Sequence, residues 1–569
     1  MSFSRKHDQW AIALSVLILV GTAVFFCFSR LGFGPVPWPD GSAFYLPALE
    51  LISWPPSWRM HAQAAFVPSY DEANFNLMPA LPIVLGVLSK LGLLKIIAAP
   101  LLIKIISVVA LLIWAGVFWR WLFQALVQQS IPPFRALRDS AILGLAALWD
   151  PTIRWGTLVV RTETWVGLCW MIILTVLWKN RKTDLLPSKA LWKISGLLAL
   201  SAYFHFEAII LVPAVGLAIM PQSFSKKGFF KAWWDSLLQI GLRTALFLSP
   251  WILYVLTHFS LFLKQMEVQF FRLSGSNVWI SSPHLFFHSL FLEHGSPQGV
   301  PKIFNVAKAI FWVLILVLSI SLGHKIYKTI QQPKKTESLF SRLTLAAAAA
   351  FWVSFYLWCT KAEVWFITLC HLMFWPWLGL TLLEYYGKKP NIFATTLKNS
   401  GIVYGYLAIL GTLVQAQKIQ PQYNWSEYQD WVSCIDRDIQ KAIHHSVPKI
   451  WQPYVPDVLV ELSSRHPDYD LTRALDFHIL SQNAWDFMKK ADVLLLTTFF
   501  DIPHGQTPQR YDGPPREEDI TTQQKIPFGR ESLNRLPLEQ PGAWTTHVCH
   551  YGPFWASILS KNADHVFKD

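Results

Sequence analysis

Charge is scarce in this 569-residue sequence: Asp, Glu, Lys and Arg together make up 15% of it, against about 25% in a typical soluble protein. With 53% hydrophobic residues and a mean hydropathy of +0.33, that shortage excludes a cytosolic enzyme, a disordered chain and a fibrous repeat. Cysteine is sparse as well. None of the six cysteines stands in a CxxC or Cys/His zinc pattern, and no repeat of solenoid length is present. Acidic residues are outnumbered by basic ones, 36 to 49. The resulting charge of +13 does not form a nucleic-acid-binding patch. It falls between apolar runs, where the positive-inside rule places it, so no nucleic acid partner is expected.

What the sequence has in abundance is apolar runs. A transmembrane helix needs about 20 such residues, and the runs at roughly 10–29, 97–118, 140–155, 164–178, 191–206, 208–221, 236–257, 303–322, 343–359, 364–384 and 399–416 amount to about eleven spans. The expected fold class is therefore an α-helical polytopic membrane protein with about 11 transmembrane helices and a C-terminal soluble α/β domain. The first run has no small-residue cleavage site after it and reads as a retained span.

The loops sort by charge. Arg120, Arg135 and Arg138 share one connection; Lys179, Arg181, Lys182 and Lys189 share another. Lys226, Lys227 and Lys231 follow, then Lys325, Lys328, Lys334 and Lys335, then Lys388 and Lys389. These are alternate loops, which places the N-terminus in the cytoplasm and, after an odd number of spans, the C-terminal region in a periplasm or lumen. Residues 79–95 are apolar enough for a span, but counting them would invert every later loop. They read as a helix lying in the outer interface.

Three outer segments are long: 30–96, 258–302, which mixes apolar and polar residues like a half-embedded lid, and 417–569. The domain layout expected is a transmembrane domain over 1–416, including the first outer loop 30–96, and an α/β domain over 417–569. In the tail, Lys449–Val455, Asp457–Leu462 and Val493–Phe499 read as strands, and Asp436–His445 and Leu471–Lys490 as helices. Cys434 and Cys549 both lie on the oxidising side, either bonded to each other or free.

Acidic residues near the outer surface are few. Asp40 stands in a Pro-Asp-Gly turn, as a turn former or as a base able to take a proton from a hydroxyl. Glu163 opens an apolar helix, where the dipole favours an anion; it either caps the helix, pairs with Arg161, or faces a wet cavity. Lys361 and Glu363 occupy the short turn Cys359–Trp365, and Lys361 either snorkels or meets a phosphate. His205 and Glu207 share another outer turn, lining the same cavity or pairing with each other.

Four stretches, in this order and with this sidedness, carry a resemblance. They are Asp40 with Tyr45 and Ala48 after the first span, Asn76–Gly92 as an interfacial helix, Pro151 followed by Glu163, and Lys361 to Trp365 leading into a span with Pro376. The layout resembles the C-type, membrane-integrated (GT-C) glycosyltransferases that use polyprenyl-phosphate sugars, among them protein O-mannosyltransferases and the lipid A aminoarabinose transferase. The match departs at Gly41, where the family has a second acidic residue, and at Trp365, where it has Tyr.

The resemblance implies inverting transfer from a polyprenyl-phosphate-linked sugar to a lipid, glycan or protein acceptor at the outer face. Asp40 would be the general base. Glu163 would orient the acceptor or bind a divalent metal, the one cofactor the family leaves open. Lys361 and Arg161, with Arg154, would hold the donor phosphate; Tyr45, His205, Glu207 and Glu363 would line the cavity. A bacterial inner membrane is favoured over an endoplasmic reticulum. The alternatives are a transporter or flippase of a lipid-linked intermediate and a structural subunit. Against the transporter stand the absence of internal repeats and of mid-span charges other than Arg243 and Lys308.

Overall fold

The structure is a computed structural model. It describes residues 44–59, 62–63, 72–75, 77–93, 99–158, 162–181, 185–221, 228–274, 302–331, 339–358, 364–386, 392–418, 425–443, 447–452, 458–474, 491–499, 544–551 and 554–561, with positions 17, 21, 97 and 183. The chain is mostly helical. In order, the helices are α1 (Ala48–Leu51), α2 (Ala80–Lys90), α3 (Ala99–Gln128), α4 (Pro133–Leu148), α5 (Pro151–Leu158), α6 (Glu163–Lys179), α7 (Ser188–Phe204), α8 (Leu211–Ala218), α9 (Phe229–Phe247) and α10 (Ser249–Thr257). Then come α11 (Phe259–Ser274), α12 (Lys302–Gln331), α13 (Leu339–Trp358), α14 (Val364–Tyr386), α15 (Ile392–Lys418), α16 (Trp425–Ala442) and α17 (Leu459–Arg465). The strands are β1 (Ala62–Gln63), β2 (Lys449–Gln452), β3 (Asp470–Ala474), β4 (Val493–Phe499), β5 (Trp544–Tyr551) and β6 (Phe554–Lys561).

Among the described residues, Leu101–Gln128 and Ala309–Tyr327 are long and apolar enough to cross a bilayer. The pair α9–α10, bent by 65°, is a third if it forms one span. These helices make the chain an integral membrane protein. Two compact units divide it, the first comprising residues 1–32, 106–257 and 273–418.

In the first unit small residues let helices touch. A Cβ on Gly405 of α15 would lie 2.2 Å from the Ala146 Cβ of α4, and one on Gly156 of α5 would lie 1.8 Å from Thr368 Oγ1 of α14. Where side chains are this small, helix backbones approach closely and pack directly on one another. Polar side chains then fasten one set of helix ends. Trp178 Nε1 donates to Gln128 Oε1 at 3.1 Å, Gln129 Nε2 to the Leu383 carbonyl at 2.7 Å, and Thr344 Oγ1 to Glu384 Oε1 at 2.7 Å. Lys325 pairs with Glu384, and buried Asp139 faces Arg135, Arg138 and Lys398. Every one of these residues borders a loop whose basic residues were expected on one side. Measured from this rim at about 1.5 Å per residue, Glu163 stands about 22 Å from Trp178 along α6.

The second unit comprises residues 33–105, 258–272 and 419–569. Its core is a six-stranded sheet of order β1-β3-β2-β4-β6-β5. The strands β1, β3, β2 and β4 run parallel, while β6 pairs antiparallel with both β4 and β5. The register is set by pairs such as Ile450↔Val493 and Leu495↔Ile558. Helix α16 lays Trp431, Ile435 and Ile439 on Ile450, Val493 and Ile558, a buried apolar cluster. A Cys434–Cys549 disulfide ties α16 to β5, which settles the two alternatives left by the sequence.

The three long segments expected on one membrane face all contribute to this unit. The first loop supplies β1, which pairs with β3 at Ala62↔Arg473, and places Leu46 against the apolar cluster. From α11, Gln265 Oε1 accepts the Phe75 N–H and its Nε2 donates to the Ala73 carbonyl, both at 2.9 Å. Helix α2 packs on α1 so closely that a Gly86 Cβ would meet the Ala48 carbonyl oxygen at 2.5 Å. Its 11 residues reach about 16 Å, well short of a bilayer core of about 30 Å.

Several expectations in the tail are corrected. Asp457–Leu462 does not form a strand: Leu459–Arg465 is helical, and Leu459, Val460, Glu461 and Leu462 are consecutively buried. Burial on all sides overrides the β-propensity of Val and Leu. The expected helix from Leu471 begins instead as β3, because the edge of β2 is open to pair with it, and 475–490 lie outside the described residues. The hairpin β5–β6 was not expected at all. In the first unit, α3 continues through Arg120 to Gln128.

Candidate active site

Glu163 stands in the first turn of α6, and α7 ends at Phe204, where the chain turns sharply. His205 adopts an extended conformation (φ −157°, ψ 140°) and opens a 3-10 helix over Phe206–Ile210, which folds Glu207 back. Trp165 stacks on Phe204 with ring centroids 4.7 Å apart, which brings the start of α6 against the end of α7. One ligand atom from each of Glu163, His205 and Glu207 then lies within 4.8 Å of the other two. Both carboxylates are buried, and His205 nearly so. The Glu207 backbone N–H donates to His205 Nδ1 at 3.2 Å. The same Nδ1 lies 3.6 Å from Glu207 Oε1.

Two ionised carboxylates at that 4.8 Å limit repel by about 3.5 kcal/mol at an effective dielectric of about 20. A shared proton or a cation removes the repulsion. The donor set fits a divalent cation: two carboxylate oxygens and an imidazole nitrogen suit Mn²⁺ or Zn²⁺ better than Ca²⁺. Ligands about 2.1 Å from a common ion stand about 3 to 4.2 Å apart, so the cluster needs only a small contraction.

A second polar centre lies in the same compact unit. Asp150 precedes α5 and is fully buried. Its Oδ1 accepts the N–H groups of Thr152 at 3.0 Å and Ile153 at 3.2 Å, capping α5. Its Oδ2 lies 2.9 Å from His371 Nδ1 and accepts from the Tyr404 hydroxyl at 3.0 Å and Trp375 Nε1 at 3.3 Å. His371 in turn stacks on Phe311, 4.5 Å away. Arg154, also buried, sits one turn along α5 from Asp150.

Of the residues singled out in the sequence, Glu163, His205 and Glu207 come together. Tyr45 lies in the second unit, where burial first and Glu461 second push its phenol up to about 12. Asp40, Arg161, Lys361 and Glu363 lie outside the described residues. Sequence reasoning missed Asp150 as an anchor and missed His371 and Tyr404 entirely; a His and a Tyr inside apolar runs give no local pattern, and they meet Asp150 across more than 200 residues of chain.

No family model and no curated protein matches the sequence. Among solved structures, the chain is similar to ArnT from Cupriavidus metallidurans bound to undecaprenyl phosphate, at 12% identity over 96% of this chain and 97% of that one, with a TM-score of 0.48. It is also similar to the archaeal oligosaccharyltransferase AglB from Archaeoglobus fulgidus in complex with an inhibitory peptide and a dolichol-phosphate, at 8% identity over 87% of this chain and 70% of that one, with a TM-score of 0.48. Both are distant likenesses of chain path.

Proposed function

We propose that this chain is a membrane glycosyltransferase that moves a sugar from a polyprenyl-phosphate donor to an acceptor on the periplasmic or lumenal side. In this reading about eleven helices span the bilayer, the N-terminus is cytoplasmic, residues 1–416 carry the catalysis and 417–569 form an outer α/β domain. The observation that supports it most is the meeting of Glu163, His205 and Glu207 from separate outer turns. A buried acidic cluster at a helix rim is costly unless it faces substrate or cation.

Asp40 takes the proton of the acceptor hydroxyl. The freed oxygen attacks the anomeric carbon from the face opposite the phosphate, and the anomeric C–O bond breaks with its electrons passing to the phosphate oxygen. Lys361 and Arg161, together with Arg154, stabilise the charge that grows on the departing lipid phosphate. Near the bilayer rim such Coulomb attraction is worth about four times its value in bulk water. Glu163, His205 and Glu207 hold the acceptor or a divalent cation. When bound, the cation supplies positive charge against the donor phosphate; the chain's own part is to fix three donors and exclude water.

The test uses the full chain in proteoliposomes with polyprenyl-phosphate-linked hexoses and pentoses as donors and lipid, glycan and peptide acceptors. Transfer with release of polyprenyl phosphate, lost in Glu163→Gln and His205→Ala, is the expected result. Movement of intact donor between leaflets with no turnover would identify a flippase and overturn the proposal.

A further inference from the structure

We propose that Asp150 is a positioning residue for the Glu163–His205–Glu207 cluster, acting through helix α5. The idea rests on the functional reading above for its importance, and on geometry alone for its content. Helix α5 is only 8 residues long, too short to hold its own place by propensity. One carboxylate fixes its start. Through Oδ1 Asp150 satisfies the free N–H groups of Thr152 and Ile153, and through Oδ2 it joins His371 and Trp375 of α14 and Tyr404 of α15. The helix is thus docked on two long helices by a single side chain.

Its flank is fitted as tightly. Thr368 Oγ1 donates to the Thr152 carbonyl at 3.4 Å, and Gly156 has no room for a Cβ against Thr368. At the far end of α5, Thr157 Oγ1 bonds the Ile153 carbonyl at 2.8 Å and the Thr164 hydroxyl at 3.1 Å. Thr164 adjoins Glu163 in the first turn of α6. A continuous path of buried polar contacts therefore runs from Asp150 along α5 to the residue beside the cluster carboxylate. Every link lies in one compact unit. Loosening Asp150 lets α5 shift on α14, and the shift passes through the Thr157–Thr164 contact to Glu163.

The test reads geometry and turnover separately in the full chain. Glu163→Cys and Glu207→Cys are combined and cross-linked with a short bis-maleimide, with the linked peptide quantified by mass spectrometry. Adding Asp150→Ala to the folded, monodisperse fraction is expected to lower the yield at least five-fold. Asp150→Asn, which keeps an acceptor oxygen for the cap, is expected to recover at least half of it. Thr157→Val, which removes none of the Asp150 hydrogen bonds, is expected to reproduce the loss, with little added by Asp150→Ala. In parallel, with native Glu163 and Glu207, Asp150→Ala is expected to lower kcat at least ten-fold with donor KM within two-fold. Unchanged cross-linking in Asp150→Ala and Thr157→Val overturns the proposal. Should Asp150→Ala fail to fold, Asp150→Asn and Thr157→Val decide: parent-like yields in Thr157→Val overturn it. Lowered cross-linking in a chain that transfers no sugar would leave the positioning role standing and remove the functional reading instead.

Discussion

Replacing Glu207 with Gln separates the cost of the cluster from its use. In the cation-free protein Glu163 and Glu207 lie within 4.8 Å of each other, a repulsion of about 3.5 kcal/mol at an effective dielectric of about 20. Gln keeps the shape of the side chain and removes one of the two charges. In EDTA, then, Glu207→Gln should unfold at a temperature no lower than the parent, measured by intrinsic Trp fluorescence of the detergent-solubilised chain. Adding Mn²⁺ reverses the order. A cation present at about 100 times its dissociation constant stabilises the parent by about 2.7 kcal/mol, and the variant, short of one ligand, gains less. Transfer should fall about 100-fold, a loss typical of removing one electrostatic group at a reacting centre. A variant that is less stable in EDTA yet keeps full transfer would refute the reasoning, because the carboxylate would then be a structural partner and nothing more.

Asp40→Asn should abolish transfer while leaving membrane insertion and yield intact, and Lys361→Ala should mainly weaken donor binding; turnover and donor affinity in proteoliposomes read the two effects. Gly405→Ala drives a methyl into Ala146 and should destabilise by about 1–3 kcal/mol, whereas Gly323→Ala, with nothing within 4 Å, should be neutral by the same thermal assay. The Cys434–Cys549 bond closes a separation of 115 residues, for which chain entropy gives about 4.8 kcal/mol; Cys434→Ser should make residues 419–569 markedly easier to digest by limited proteolysis. Tyr45, raised in the fold to about 12, contributes stability that is complete below its unfolded value near 10 and lost as the pH rises toward 12; Tyr45→Phe should flatten that alkaline decline in a pH series of unfolding temperatures.

How much of this was legible beforehand depends on the range of the interaction. Runs such as 343–359 and 364–384 correspond to α13 and α14, because an apolar helix announces itself residue by residue. Counting Lys and Arg led to the expectation that 30–96, 258–302 and the tail share one membrane face, and parts of all three belong to one compact unit. Glu163, His205 and Glu207 could be picked out because acidic groups are rare at helix rims, though nothing in their spacing showed that they meet. The Asp150 centre was hidden for the opposite reason. Asp150, His371 and Tyr404 each sit in an apolar context with an ordinary local explanation, and only the packing of α5 on α14 and α15 joins them. Likewise β1, two residues in a long loop, becomes a strand only because β3 offers an edge.

The most direct measurement is mass-spectrometric detection of free polyprenyl phosphate and glycosylated acceptor when the purified chain is reconstituted with a polyprenyl-phosphate-linked sugar. The account predicts that both products accumulate together with the parent chain and neither with Asp40→Asn. Donor that stays intact with the parent chain across the whole hexose and pentose panel, or products that form equally well with Asp40→Asn, would contradict it.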